Sequence, residues 1–420
     1  MTIEIDRREF LKGAAATIAL AFTAQELFAA EETAAVAAPA GPAVKIGVIG
    51  LGQWGKEVVA NLAKLPTAQV TAICDTYQPF LDRSQKIATS AAPFIDYRKL
   101  LESPEVEAVV IATPSHQHKE IALAAIQAGK HVYCEAPLAS TIDDAKAIAL
   151  AGMGSKQIFQ VGLQGRANPL YEHVSKFVRT GVMGNVAQVQ AQRNKKESWR
   201  RAAPSPEREK EINWRLSKAM SAGLIGELGI HQIDLANWYL NALPVSATGF
   251  GSIVNWNDGR DVPDTVQCII EYPNNLRMVF SSTLASSFSN SYTLFQGSDS
   301  SLMMRDERGW MIKEADSSLL GWEVYAKKEQ CFEETGICMI ADATKILKEG
   351  KEPGKEGLAT PAKEPLYSAL ESFAKSVRDG SKPVCGVADG YQASVVAIKA
   401  NDAVLSGTKV AFQSTDFDLK

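Results

Sequence analysis

A glycine pattern, Gly50-Leu51-Gly52-Gln53-Trp54-Gly55, constrains this 420-residue chain more than any other stretch. An apolar run, Val44–Ile49, precedes it and reads as a buried strand. Lys56–Leu65 follows with helical spacing of Val58, Val59, Leu62 and Leu65. Strand, glycine turn and helix together form the context that a bare glycine pattern lacks. The first glycine permits a tight turn, the second lets backbone approach a pyrophosphate, and the third lets helix pack close on strand. The helix start offers free N–H groups and partial positive charge to phosphates, and Gln53 and Trp54 within the turn are cofactor-binding candidates. A second strand, Val70–Cys74, ends in Asp75, twenty residues past Gly55. A carboxylate there accepts hydrogen bonds from ribose hydroxyls and repels a 2′-phosphate, which favours NAD over NADP.

The alternation continues. Pro79–Thr89, His116–Ala128 and Ile142–Met153 read as helices, and Glu105–Ala112, His131–Cys134 and Gln157–Val161 as strands. This predicts a doubly wound, mainly parallel Rossmann sheet, an α/β fold, over 44–165. Ligands in such sheets bind at the carboxyl ends of the strands. Thr113–His118, Glu135–Leu138 and Gly162–Arg166, the last containing Gln164, fall there.

From Asn168 the pattern changes. Asn168–Thr180 is predicted as a helix and Ala187–Arg193 as a half-buried strand. The polar segment Asn194–Arg215 carries Trp199, Trp214 and Arg215. Stacking indoles with arginine suit a carbohydrate, and Arg166 is a further candidate; a charged surface loop anchored by tryptophans is the plainer alternative. Gly226–Trp238 then reads as a helix in which Glu227 precedes His231 by four residues. One helical turn separates such a pair, so the carboxylate is expected to reach the imidazole, and a histidine polarised this way can take a hydroxyl proton. Asp234 reads as a structural partner. The ligand cluster that a metal needs is missing, so no metal is expected. Strand-like runs at 247–256, 265–272, 277–284, 291–296, 301–305 and 310–313 predict a large open, mostly antiparallel sheet within an α+β domain over 166–385. Residues 323–363 read as polar and irregular. Pro365–Asp379 and Tyr391–Ser406 return as helices, and 386–420 is expected to pack back on the first domain.

Residues 1–43 look like an address rather than structure. Asp6-Arg7-Arg8-Glu9-Phe10-Leu11-Lys12, a weakly apolar run to Phe22 and an Ala/Pro-rich arm resemble a twin-arginine signal, so a periplasmic or otherwise exported location is expected. The apolar run is too short to span a membrane. That route carries folded proteins, so a cofactor bound before export would have to be held tightly. A net charge of −4 implies no attraction to nucleic acid. The six cysteines match no zinc spacing, although Cys331 and Cys338 could pair in an oxidising compartment.

The glycine motif, Thr113-Pro114 with His118, the segment Gly129-Lys130-His131-Val132-Tyr133-Cys134-Glu135-Ala136-Pro137, and Gly229-Ile230-His231 with Asp234 together resemble the glucose–fructose oxidoreductase/inositol dehydrogenase (Gfo/Idh/MocA) family over 44–412. The resemblance implies an NAD(P)-dependent oxidoreductase moving hydride between a sugar or glycoside ring carbinol and nicotinamide. It places Thr113, Pro114 and His118 at the nicotinamide end, Glu135 near its ribose, and His231 as the catalytic acid/base. It also implies homo-oligomerisation through the open sheet face. Two departures stand out. Ala136 occupies the place of the family's lysine, and Glu227 that of its aspartate. Members lacking the lysine include NAD-dependent glycosidases that oxidise, eliminate, add water and reduce again, an alternative outcome here. A nucleotide- or sugar-binding protein without catalysis is a third.

Overall fold

The computed structural model describes residues 41–305, 308–321, 323, 326–340 and 364–420. Ala43–Lys420 form one compact unit, and the export signal predicted ahead of it lies outside the described residues. Among the described residues no helix is long and apolar enough to cross a membrane.

Six parallel strands form the first sheet: β1 Val44–Ile49, β2 Ala68–Cys74, β3 Ala92–Phe94, β4 Ala108–Ile111, β5 His131–Cys134 and β6 Phe159–Val161. Their spatial order is β3-β2-β1-β4-β5-β6. All four residues of β4 are buried, as expected of a strand covered on both faces. The chain reverses direction across the sheet between β1 and β4, which opens a crevice beyond their carboxyl ends. Helix α1, Gln53–Leu62, starts at the glycine turn, earlier than its apolar spacing suggested. Helices α2 (Gln78–Gln85), α3 (Tyr97–Glu102), α4 (His118–Gln127) and α5 (Ile142–Gly154) complete the crossovers. Strand β3 and helix α3 are too short to carry a readable period.

After α6, Pro169–Arg179, the second sheet begins with β7, Val186–Asn194. Its ten strands also include β8 Ser246–Ser252, β9 Thr265–Glu271, β10 Arg277–Thr283, β11 Ser291–Gly297, β12 Ser300–Arg305, β13 Arg308–Lys313, β14 Lys328–Cys331, β15 Glu334–Met339 and β16 Val410–Ala411. Every pairing is antiparallel except that of β7 with β10. Buried and exposed residues alternate along β9, so one face of the sheet packs and the other is open. Strands β14 and β15 lie where the sequence read as irregular: their charged residues mark an exposed edge hairpin rather than a loop. Residues 341–363 of that stretch lie outside the described residues. All six cysteines are free thiols, Cys331 and Cys338 included.

Helix α7, Ile230–Leu240, packs on α6 and follows a π turn at Ile225–Gly229. Helix α8, Pro365–Asp379, belongs to the first sheet rather than to the second domain where the sequence assigned it. Leu366, Leu370 and Phe373 share a core with Val44, Ile46 and Tyr133. An amphipathic period shows that such a helix needs a partner and does not say which. Helix α9, Val387–Ser406, is buried almost throughout and packs on both halves. At Gly390 an added Cβ would sit 2.5 Å from Val161, so this glycine lets α9 cross close over β6. The Ser394 hydroxyl ties the same helix to the Leu138 amide at 3.1 Å.

Candidate functional site

The glycine turn is built as its spacing predicts. Gly50 has φ +89°, and a Cβ there would lie 2.7 Å from the Thr113 amide nitrogen. A Cβ on Gly55 would fall 1.8 Å from the Gly50 carbonyl oxygen. A Cβ on Gly52 meets nothing within 4 Å: this glycine borders open space. Asp75 closes the turn from below. Its carboxylate accepts from the Leu51 amide at 2.7 Å and the Tyr77 amide at 2.8 Å, and burial raises its pKa. The residue expected to read a ribose thus also holds the loop that receives the phosphates. Arg83 donates to the Leu51 carbonyl at 2.6 Å from the other side.

At the ends of β4 and β5, His118 plays a different part from the one its motif suggested. Its ring is buried, with Nδ1 3.0 Å from the Pro137 carbonyl and Nε2 2.9 Å from that of Thr113. Burial lowers its pKa, and the neutral ring, with one N–H, donates to one of these two carbonyls while standing between the Thr113-Pro114 turn and the cis Ala136-Pro137 turn. The ring contributes alignment rather than a group free to meet a ligand. Glu135 is buried beside it. Desolvation raises its pKa to about 7, opposed by the Trp54 side chain and the Ala136 backbone. Gln164 lines the crevice, with its side chain beside the hydroxyl of the buried Tyr133.

His231, on α7, opens into the crevice from the second half. Burial and the charge of Arg193 lower its pKa to about 4, so the ring is neutral at physiological pH. Arg193 stands near the end of β7 opposite Ser291, whose hydroxyl accepts from Gln232 at 3.1 Å. The expected Glu227–His231 partnership is absent among the described residues. The π turn is wider than an α-turn, so a four-residue separation no longer stacks the two side chains. Glu227 instead accepts from Ser115 at 3.2 Å and from the Ala222 amide at 3.4 Å, and lies 3.7 Å from Arg215. Burial raises its pKa and Arg215 opposes the shift.

The Arg215 guanidinium lies between two indoles, 5.7 Å from the Trp199 ring centre and 4.8 Å from that of Trp214. Trp199 is buried and has φ 62°, so its backbone is held in a region that a bulky residue rarely occupies. The tryptophans are therefore packed elements of the crevice wall, not loose surface anchors. Arg166 is committed elsewhere: it binds Asp234 through Nη2 at 2.9 Å and Asp389 through Nη1 at 3.0 Å. Asp234 is its structural partner, and Arg166 reaches the crevice as part of this buried pair rather than as an open donor.

One crevice of about 1100 Å³ joins both halves. It exceeds the ~300–1,000 Å³ of ordinary small-molecule sites. Gly50, Gly52, Gln53, Trp54, Asp75, Thr113, Pro114, His118, Glu135 and Gln164 line one end. Arg166, Trp199, Trp214, Arg215, Glu227 and His231 line the other. Gly55 lies beneath it, acting through packing. Ser115, Arg193, Tyr292 and Thr293 also line the crevice and carry no sequence signal of their own beyond strand parity. A dinucleotide fits this cleft on structural grounds. Gly52 leaves space at the helix start, and Thr113 Oγ1 and Glu135 Oε1 are buried polar atoms with no partner in the protein. Among the described residues no group of three or more His, Cys, Asp or Glu is arranged to hold a metal ion.

Comparison with known proteins agrees with this construction. Residues 44–163 match the family model described as oxidoreductase family, NAD-binding Rossmann fold, and residues 171–303 match the GFO/IDH/MocA C-terminal domain. The chain is 28% identical over 296 residues to levoglucosan dehydrogenase of Pseudarthrobacter phenanthrenivorans, covering 63% of this chain and 74% of that protein. It is 29% identical over 235 residues to inositol 2-dehydrogenase 2 of Saccharopolyspora erythraea, covering 56% of this chain and 64% of that one. In fold it superposes on a levoglucosan dehydrogenase complexed with NADH and L-sorbose, with a TM-score of 0.72 at 21% identity over 89% of this chain and all of the other.

Proposed function

The chain belongs to the GFO/IDH/MocA oxidoreductase family and holds an NAD site, and from that premise we propose that its substrate is a small sugar or cyclic polyol, oxidised or reduced at a ring carbinol. The observation that carries this reading is a single crevice in which a dinucleotide cradle faces a neutral imidazole across the two halves of the fold. Bound NAD supplies the hydride acceptor, and NADH the donor. His231 takes the hydroxyl proton at a ring nitrogen during oxidation and returns it during reduction. Its low pKa keeps the ring free to accept at neutral pH, and Arg193 contributes to that state. Ala136 supplies no ammonium group; Arg193, Lys195 and Arg215 line this end of the crevice, beside the Arg166–Asp234 pair. Trp199 and Trp214 offer apolar faces to the C–H surface of a sugar. Glu227 joins Ser115 of the first half to Arg215 of the second and so sets the distance between them.

The relatives named for levoglucosan and inositol support a cyclic, polyhydroxylated substrate without naming this chain's own. Incubation with NAD and a panel of levoglucosan, inositols and free hexoses, read as absorbance of reduced cofactor, tests it. At least one compound should reduce NAD with saturation. A flat response across the panel, with NADH binding intact, would remove the sugar assignment.

We also propose export through the twin-arginine route, supported by Arg7-Arg8 and the weakly apolar run after them, and assembly of copies through the open sheet face. Phe250 and Val279 are 68% and 41% exposed on that face. Fractionation of a tagged full chain, with and without Arg7 and Arg8 replaced by lysine, tests the first. Sedimentation of wild type against a Phe250→Asp variant tests the second.

A further inference from the structure

Between Asn194 at the end of β7 and Leu216 the chain runs with only short helical turns, at 206–208, 209–212 and 214–216. Connections this long inside a compact unit are uncommon and tend to serve function. This one is held in shape. The Asn213 side chain accepts from the Arg201 amide at 2.7 Å and donates to the Arg201 carbonyl at 3.0 Å, so the backbone at Arg201 is clamped from both sides. Arg200 donates to the Asp258 carbonyl at 2.8 Å, and Leu216 is buried at the far end.

What the clamped segment presents is two guanidinium groups, and both reach across to the first sheet's half. Arg201 donates to the Gln53 side chain at 2.9 Å. Gln53 is the first residue of α1, where unpaired backbone N–H groups receive phosphate. Among the described residues Arg201 has no ion pair, so an unneutralised positive charge stands over the phosphate end of the cleft. Arg208 donates to Thr76 at 3.3 Å and lies 4.8 Å above the Tyr77 ring, just past Asp75 on the ribose side. It pairs with Glu211 at 3.2 Å within its own segment. Both arginines line the crevice. Gln53 is neutral, so its contact does not satisfy the Arg201 guanidinium as an anion would, whereas Arg208 already holds Glu211 and contributes its reach to Thr76.

We propose that the segment 199–216 is a strap over the dinucleotide, in which Arg201 and Arg208 retain the bound cofactor by bridging from the second half to Gln53 and Thr76. The strap rests on the NAD assignment but not on the identity of the sugar. Retention acts on the dissociation rate, since closing a cleft over a ligand slows its escape more than its arrival. Diphosphate charge facing Arg201 makes the same rate sensitive to salt. Neither arginine is assigned to proton or hydride transfer.

The test uses the full chain without sugar. NADH is bound, then displaced by excess NAD, and the loss of nicotinamide fluorescence gives the dissociation rate. The R201A/R208A double variant should release NADH at least about tenfold faster than wild type, with an unchanged thermal melt of the cofactor-free protein. R201K/R208K should recover most of the difference, because lysine keeps the charge. The wild-type rate should rise with sodium chloride, and that of the double alanine variant should barely respond. Dissociation within twofold of wild type in the alanine variant, or equal salt dependence in both, overturns the strap. Absence of NADH binding by the wild-type chain would overturn the cofactor assignment itself, a different failure.

Discussion

The two ends of the crevice are built by different means. The dinucleotide end is made of backbone: a turn at Gly50, open space at Gly52, close packing at Gly55, and amides held by Asp75. The other end is made of side chains from distant elements: Arg193 on β7, Trp199 and Trp214 on the strap, Glu227 in a π turn and His231 on α7. The cradle tolerates no added atoms at Gly50 and Gly55, where backbone crowds in, and admits them at Gly52 only while the cofactor is absent. A side-chain wall tolerates substitution of its members at a cost in rate or affinity, because each is held by neighbours rather than by its own φ and ψ. Binding and chemistry are therefore separable by mutation in this protein.

The sharpest break between the ends is His231→Ala. Turnover should fall by about 10²–10⁴ while NADH affinity stays at the wild-type value, measured by steady-state rates and fluorescence titration. Equal loss of both would merge the two ends into one. Next come the glycines, which split the cradle itself. Gly50→Ala places a side chain against backbone at positive φ, so it should destabilise by roughly 1–3 kcal/mol and weaken NADH binding. Gly52→Leu adds atoms only to open space. It should leave the cofactor-free melting temperature unchanged and weaken NADH at least about tenfold. Smaller again, Trp199→Ala and Trp214→Ala should raise KM for the sugar with little change in NADH affinity. A loss of about 1–3 kcal/mol is reasonable for one stacking face. The reverse pattern, lost NADH with unchanged KM, would move both indoles to the cofactor end.

The smallest effect is one of pH. His231, neutral in the fold with a pKa near 4 against an ordinary 6.5, contributes stability that is complete above pH 6.5 and lost as pH falls toward 4. Glu135 has the opposite sign. Its folded value of about 7, against an ordinary 4.5, means its contribution is complete below pH 4.5 and lost as pH rises through 7. Glu135→Gln should therefore raise the melting temperature at pH 8 by roughly 1 °C per kcal/mol recovered and leave it unchanged at pH 4. His231→Gln should flatten the acid side instead. Melting curves across pH 4–8 separate the two groups.

Asp75 shows how far local spacing reaches: its distance from the glycine turn marked it as a ribose acceptor, and the fold adds that its carboxylate holds the Leu51 amide of the loop. Glu227 shows where spacing stops. Four residues in an α-helix would have put it on His231, but the chain widens into a π turn and the carboxylate joins Ser115 and Arg215 instead. His118 is similar: its motif marked the right turn, and only the fold revealed that both ring nitrogens face carbonyls. Arg166 carried no hint that Asp234 and Asp389 would occupy it.

By itself the sequence determined the dinucleotide cradle, the order of strand and helix in the first half, and the two-sheet character of the whole. Each of these is encoded by neighbours: a glycine's freedom, a carboxylate at the end of the next strand, a period of two or of 3.6. Tertiary structure alone decided that α8 covers the first sheet, that α9, expected against the first domain, is buried against the second sheet as well, and that 199–216 crosses the cleft to Gln53 and Thr76. Those outcomes depend on which surfaces bury one another and on where a long segment is pinned, and neither is written in the spacing of adjacent residues.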